Sequence, residues 1–270
     1  MKSELPIGIF DSGIGGLTVA REIIELMPNE KVVYFGDTLH LPYGEKSNTK
    51  VINYCSKICE FLMKKKCKAI VVACNTASSV AINSIKKKIG EECYLFNVID
   101  PVIEKIKKFK STNIGVIGTN ATISSKIYEK KIQEIYNDIN VFSLATPLLA
   151  PMIESRFHDA SIKKKIIATY LNNQKLNSIE TLILGCTHYP LILSEIQEFY
   201  SNKVPIISSL NSIGAHIKEK LEKNKLLSKQ KFEKKHEFFV SDITTSFQKN
   251  AKSFFTHDIS LKENNIFNEK

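Results

Sequence analysis

The feature that most constrains the fold is a regular alternation of short apolar runs with longer amphipathic runs along the chain. Nine apolar runs are predicted as strands, at residues 7–10, 32–36, 69–73, 94–99, 113–118, 140–145, 181–186, 205–209 and 237–241. The runs between them, such as 38–65 and 159–173, have lysine-rich helical patterns. Nearly continuous apolar strands separated by helices are typical of parallel sheets covered on both faces. We therefore expect a doubly wound α/β protein.

A weak internal repeat divides this pattern into two halves. PIGIFDSGIGG (6–16) resembles TNIGVIGTNAT (112–122), and KAIVVACNTAS (68–78) resembles IETLILGCTHYP (179–190). Asp11 precedes Cys74 by 63 residues, and Thr119 precedes Cys186 by 67. This spacing predicts two similar α/β domains, one from residues 1–98 with 210–258 and one from 99–209. Residues 259–270 are predicted to form a C-terminal tail.

Two of the six cysteines, Cys74 and Cys186, end predicted buried strands and precede polar, helix-starting residues. None of the six is in a CxxC or zinc-like spacing. Open α/β sheets bind ligands beyond the carboxyl ends of their strands, where Asp11, Ser12, Asp37 and Thr119 are also expected. If the two domains face each other through these ends, they enclose one pocket with a cysteine on each side.

The unpaired N–H groups of a helix start favour a thiolate, so the pKa of both cysteines is predicted to lie below the usual value of about 8.5. A thiolate can be a nucleophile, a metal ligand or a base. Metal binding would need Cys or His neighbours, which the sequence near Cys74 lacks, and a nucleophilic cysteine usually has one His partner. Two cysteines related by a repeat fit a different chemistry, in which one removes a proton from carbon and the other delivers one to the opposite face. Such a pair inverts a stereocentre.

Composition argues against two other classes of protein. The net charge of +10 would suit a nucleic-acid binder, but Arg21 and Arg156 are the only arginines and the lysines lie on predicted helix faces. No apolar run reaches the roughly 18 residues that span a bilayer, and the N-terminus lacks a signal-peptide pattern. We expect a cytoplasmic protein without a nucleic-acid or membrane partner.

Four motifs, IGIFDSGIGGLTV, YFGDTLHLPYG, VVACNTAS and LILGCTHYP, resemble the aspartate/glutamate racemase family in this order and spacing. The resemblance runs from residue 7 to about 255. Aspartate-type members usually have His after CNTA and Glu after the second CT, whereas Ser78 and His188 stand here. The resemblance therefore implies a glutamate racemase, with an aspartate-type racemase as the alternative and a thiol redox protein as a more distant one.

The resemblance also implies roles for individual residues. The proton-transfer group would be Cys74 and Cys186 with Asp11, His188 and Glu154. The residues that hold glutamate would be Asp11, Ser12, Tyr43, Gly44, Asn75, Thr76, Thr119, Thr187 and His188. The family further implies a homodimer that works without metal or cofactor and supplies D-glutamate for peptidoglycan. Ser208 and Ser209 depart from the family pattern, in which an Asp is expected before the serine.

Overall fold

The computed structural model describes residues 2–155, 157, 159–229, 236–252, 254–255 and 259–268, so Arg156 lies outside the described residues. The strands are β1 (Ile7–Asp11), β2 (Val32–Gly36), β3 (Ala69–Val72), β4 (Tyr94–Asn97), β5 (Asn113–Gly118), β6 (Asn140–Ala145), β7 (Thr181–Gly185), β8 (Ile206–Ile207), β9 (Glu237–Val240) and β10 (Leu261–Glu263). The helices are α1 (Gly15–Leu26), α2 (Asn48–Lys64), α3 (Asn75–Val80), α4 (Ile82–Ile89), α5 (Asp100–Ile106), α6 (Asn120–Ser124), α7 (Ile127–Gln133), α8 (Leu149–Glu154), α9 (Ala160–Leu171), α10 (Leu193–Phe199), α11 (Ile213–Lys223) and α12 (Thr245–Lys252). Short 3-10 turns lie at Lys2–Glu4, Thr38–His40, Tyr43–Glu45, Gln174–Leu176 and Tyr189–Ile192.

The strands form two sheets in which every pair is parallel. The first has the order β10-β9-β2-β1-β3-β4 and the second the order β6-β5-β7-β8. The prediction of two parallel α/β units is thus confirmed, while the exact domain boundaries stay a prediction. The predicted tail needs a correction: β10 pairs with β9, with Leu261 opposite Phe238, and covers an edge that would otherwise expose unpaired backbone groups.

Helices bury both faces of the first sheet. Along β1, Ile7 and Ile9 pack into one apolar cluster with α1 and α11, whereas Phe10 packs into another with α2 and α4. Successive side chains of a strand point to opposite faces, so a strand buried on both sides must be apolar at every position. Each fully buried side chain of this size contributes about 1.5–3 kcal/mol.

The first of these clusters continues into the second half of the molecule, where Leu149, Leu182 and Leu184 belong to it. On the other face of the second sheet, Ile114, Val116 and Ile183 pack with α5 and α7. The two sheets therefore share one continuous core on one side, which fixes how their strand ends face each other. Among the described residues, no helix is both long and apolar enough to cross a membrane.

The segment before α2 differs from the prediction. A helical pattern was expected from residue 38, but the helix begins at Asn48, where the Ser47 hydroxyl accepts the N–H of Lys50 at 3.4 Å. Pro42 has no N–H to donate and disfavours the helical conformation in the residue before it. Residues 38–45 instead form two 3-10 turns, which bring Tyr43 and Gly44 to the carboxyl end of the sheet.

Candidate active site

A cavity of about 330 Å³ lies between the carboxyl ends of the two sheets. It is lined by Ser12, Leu41, Pro42, Tyr43, Gly44, Cys74, Asn75, Thr76, Thr119, Ala150, Pro151, Glu154, Ser155, Cys186, Thr187 and His188. Of the predicted site residues, only Asp11 is not part of this lining; it is completely buried behind Ser12. Sequence reasoning missed Leu41 and Pro42, although they directly precede the predicted Tyr43, and Ala150, Pro151 and Ser155, which flank Glu154.

Cys74 is the residue from which α3 begins, and it faces the cavity from the first sheet. Its Sγ lies 3.6 Å from the Ser12 hydroxyl. Behind them, Asp11 Oδ2 accepts the N–H groups of Gly13 at 3.1 Å and Gly16 at 2.7 Å, while Oδ1 has no hydrogen-bond partner among the described residues. A Cβ at Gly16 would collide with the Asp11 Cβ, so only glycine allows α1 to approach this carboxylate.

The predicted low pKa of the thiols is wrong for Cys74. Burial raises the pKa of Cys74 well above its usual value, and the Asp11 carboxylate raises it further. The N–H of Ala77 at the helix start and the Ser12 hydroxyl act in the opposite direction but are outweighed. Burial also raises the pKa of Asp11. Burial raises the pKa of Cys74 more than the N–H groups in the first turn of α3 lower it, which favours the neutral thiol.

Cys186 faces the cavity from the end of β7. Its Sγ lies 3.6 Å from His188 Nδ1, and His188 Nε2 lies 2.7 Å from Glu154 Oε2. Burial lowers the pKa of His188, but Glu154 and Cys186 more than compensate, so the pKa of His188 is raised well above its usual value, which favours the imidazolium form. The expected helix start after Cys186 is not found: Thr187 and His188 lead into a 3-10 turn, so the charge beside this thiol comes from His188.

Glu154 also joins the two halves, because its carboxylate accepts the N–H of Ile14 at 3.3 Å. On the other side of the cavity, Thr76 Oγ1 lies 2.9 Å from Thr119 Oγ1, and the Tyr128 hydroxyl donates to Asn75 Oδ1 at 2.6 Å. Polar contacts around the cavity thus join the two halves.

Asp37, whose role the sequence left open, is completely buried and does not line the cavity. It accepts hydrogen bonds from the hydroxyls of Tyr43 at 2.6 Å and Ser241 at 2.8 Å, and His40 Nδ1 lies 2.9 Å away. Asp37 therefore holds Tyr43 in the cavity wall. Ser78, one of the residues that favoured glutamate, is buried and donates to the Val72 carbonyl rather than lining the cavity.

The described residues contain no group of three or more His, Cys, Asp or Glu side chains that could hold a metal ion. All six cysteines are free and buried in the structure.

Comparison with known proteins agrees with this arrangement. A family model described as Asp/Glu/Hydantoin racemase matches residues 15–216. The chain belongs to this family. Within the Asp/Glu/Hydantoin racemases, it is 38% identical to the glutamate racemase of Geobacter metallireducens over 242 residues, which cover 89% of both chains.

Two solved structures of the family extend the likeness to the whole fold. The glutamate racemase of Francisella tularensis, crystallised with D-glutamate, matches 99% of this chain and 100% of its own with a TM-score of 0.91 and 31% identity. The glutamate racemase isoform RacE1 of Bacillus anthracis matches 97% of both chains, with a TM-score of 0.91 and 36% identity.

Proposed function

We propose that this protein is a glutamate racemase that interconverts L- and D-glutamate by proton transfer at Cα between two cysteines. The observation that carries the proposal is that Cys74 and Cys186 come from different sheets and line the same cavity, close enough for the charge of one to raise the pKa of the other. Relatives at 34–39% identity that bear the same activity in their names support the choice of glutamate.

In the proposed reaction, one cysteine starts as a thiolate, takes the Cα proton and becomes a thiol. The other starts as a thiol, delivers its proton to the opposite face of the same carbon and becomes a thiolate. The configuration at Cα is thereby inverted and no proton is gained or lost overall. The two cysteines end with exchanged protonation states, so that the enzyme is ready for the reverse direction.

The neighbours of the two thiols differ in charge, which gives each a separate role. Asp11 lies behind Cys74 and raises its pKa, so it favours the thiol form there. The His188 imidazolium faces Cys186, where a cation stabilises the thiolate. We propose that Asp11 assists proton movement at Cys74, and that His188, oriented by Glu154, assists it at Cys186.

The described lining residues include no arginine. Hydroxyl, amide and backbone N–H groups are available from Ser12, Tyr43, Gly44, Asn75, Thr76, Thr119 and Thr187. Several of these stand where helices begin, and helix starts favour anions. Thr119 caps α6, for example, and Asn75 is the first residue of α3.

The physiological setting follows from the proposed reaction. A glutamate racemase would supply D-glutamate for peptidoglycan, and the six free thiols suit the reducing cytoplasm. We expect no nucleic-acid or membrane partner, no metal and no cofactor. The proposed homodimer is tested by the molar mass of the purified protein in solution, measured by light scattering over a range of concentrations.

The experiment that tests the activity is a racemisation assay followed by circular dichroism on purified protein without added cofactor. We expect L-glutamate and D-glutamate each to reach an equal mixture of enantiomers, and L-aspartate to react far more slowly. A chelator and a carbonyl-trapping reagent should leave the rate unchanged. Faster racemisation of aspartate than of glutamate would show that aspartate is the substrate. If neither acid were racemised, the proposed function would be wrong.

A further inference from the structure

One hydrogen bond across the cavity involves a residue that does not line it. Tyr128 lies on α7 in the second half of the molecule and is 2% exposed, as is Asn75 in the first half. The Tyr128 hydroxyl lies 2.6 Å from Asn75 Oδ1. Asn75 lines the cavity, and its Nδ2 is buried without a hydrogen-bond partner among the described residues.

The chemistry of the pair fixes the orientation of the amide. A buried tyrosine hydroxyl usually donates its own proton, and Asn75 is the acceptor that the structure gives to Tyr128. An amide offers an acceptor on one side and two donors on the other. If Tyr128 binds the oxygen, the NH₂ group is left for another acceptor, and a buried NH₂ without a partner is unfavourable. A carboxylate in the cavity would satisfy it.

The main chain leaves room for this tyrosine ring. A Cβ at Gly185 would lie 3.2 Å from Tyr128 Cε2 and 2.9 Å from the carbonyl oxygen of Ile117. Gly185 is the last residue of β7 and directly precedes Cys186. Tyr128 therefore packs against the strand that carries one cysteine while its hydroxyl binds the residue that follows the other.

We infer that Tyr128 is a positioning residue, which orients the Asn75 amide so that its NH₂ group binds a carboxylate of the substrate when the two halves are closed. This inference rests on the proposed function. Without the tyrosine hydroxyl, the amide is free to rotate and to turn its oxygen towards the carboxylate, which weakens binding in the ground state and the transition state alike. Loss of such uniform binding raises KM and leaves kcat nearly unchanged.

The test uses Tyr128→Phe in the full-length protein, with Tyr136→Phe as the matched control. The Tyr136 hydroxyl has no hydrogen-bond partner among the described residues and lies in the same half of the molecule. Tyr128→Phe should raise KM for both enantiomers about 2- to 12-fold, the loss expected for one hydrogen bond. Tyr136→Phe should leave KM unchanged. A lower melting temperature of Tyr128→Phe with unchanged KM would make the residue purely structural and overturn the inference.

A double-mutant cycle shows whether Tyr128 acts through Asn75. In an Asn75→Ala background, Tyr128→Phe should have little further effect on KM, because the group that it orients is gone. An equal effect in both backgrounds would contradict the inference.

A readout that needs no turnover separates this inference from the proposed function. The side-chain NH₂ signals of Asn75 in a ¹⁵N spectrum, assigned by their loss in Asn75→Ala, should shift in Tyr128→Phe and stay in place in Tyr136→Phe. Failure of wild-type protein to racemise glutamate would remove the proposed function, whereas unchanged Asn75 signals in Tyr128→Phe would remove the positioning role.

Discussion

His188 Nε2 lies 2.7 Å from Glu154 Oε2, and this pair holds the imidazole with Nδ1 towards Cys186. The Glu154 carboxylate also accepts the N–H of Ile14 from the other half of the molecule. Glu154 therefore contacts both His188, which lies in its own half, and the main chain of the other half.

Glu154→Gln should lower the pKa of His188, because the carboxylate that opposes the effect of burial is lost. The pKa of folded His188 lies above its unfolded value of about 6.5. The ion pair thus stabilises the fold below about pH 6.5, and this stabilisation is lost as the pH rises through the folded pKa. Denaturant unfolding of wild type and variant should differ by about 1–3 kcal/mol near pH 6 and by less at alkaline pH.

The matched control for this change is Glu25→Gln. Glu25 forms an exposed pair with Arg21 on α1, with 3.9 Å between Nε and Oε1. Exposed pairs contribute little, so the unfolding free energy should hardly change at any pH. If the difference in unfolding free energy between wild type and Glu154→Gln stayed constant with pH, this would argue against a charged His188.

Asp11→Asn and His188→Asn should each slow turnover and should affect the two directions differently. Each group neighbours one cysteine, which is the base in one direction and the acid in the other. Since the equilibrium constant between enantiomers is one, the ratio of kcat/KM values is fixed, and the asymmetry can be seen only in kcat and KM separately. Equal changes of both parameters in both directions would contradict the assignment of one helper to each thiol.

Cys74→Ala and Cys186→Ala should each nearly abolish racemisation without unfolding the protein, because inversion needs a donor and an acceptor together. Cys59→Ala is the control: this thiol lies on α2, is buried in the core and does not line the cavity. It should cost about 1 kcal/mol of stability and leave the rate unchanged. Wild-type activity in either cavity variant would make that cysteine a packing residue.

The high pKa of Cys74 predicts slow, strongly pH-dependent alkylation. The rate at Cys74, followed by mass spectrometry with iodoacetamide, should still be rising steeply at pH 10, whereas a free thiol is half ionised near pH 8.5 and levels off about one pH unit above that value. Asp11→Asn should move the curve to lower pH, because the Asp11 carboxylate raises the pKa of Cys74. A plateau near pH 8 in wild type would show that the first turn of α3 outweighs burial after all.

The strands were well predicted from the sequence where they are buried on both faces. For β5 and β2 the apolar run and the strand have the same limits, because burial on two sides requires apolar residues throughout. The sequence missed β10, in which two of the three residues, Lys262 and Glu263, are charged. This strand lies at the edge of the first sheet and pairs with β9. Such a strand forms because it pairs with β9, and its own residues do not show the apolar pattern that would predict it.

The cavity lining could be predicted because parallel strands bring their carboxyl ends together. The electrostatics of the cavity could not be predicted, since the pKa of Cys74 depends on burial by residues that are distant in the chain. The contact of Tyr128 with Asn75, 53 residues earlier, likewise follows only from how the halves meet. The hydrogen bond from Tyr43 to Asp37 could not be predicted either, because it depends on the conformation of the turn that follows Pro42.

The most direct test of the two-cysteine account is racemisation in D₂O. Two bases on opposite faces mean that the proton removed differs from the proton delivered. Starting from L-glutamate, early D-glutamate should carry deuterium at Cα from the first turnovers, while the remaining L-glutamate stays largely protiated. The same pattern should appear from D-glutamate, where Cys74 and Cys186 exchange roles. Deuterium appearing early and equally in both enantiomers would indicate a single base and contradict the account.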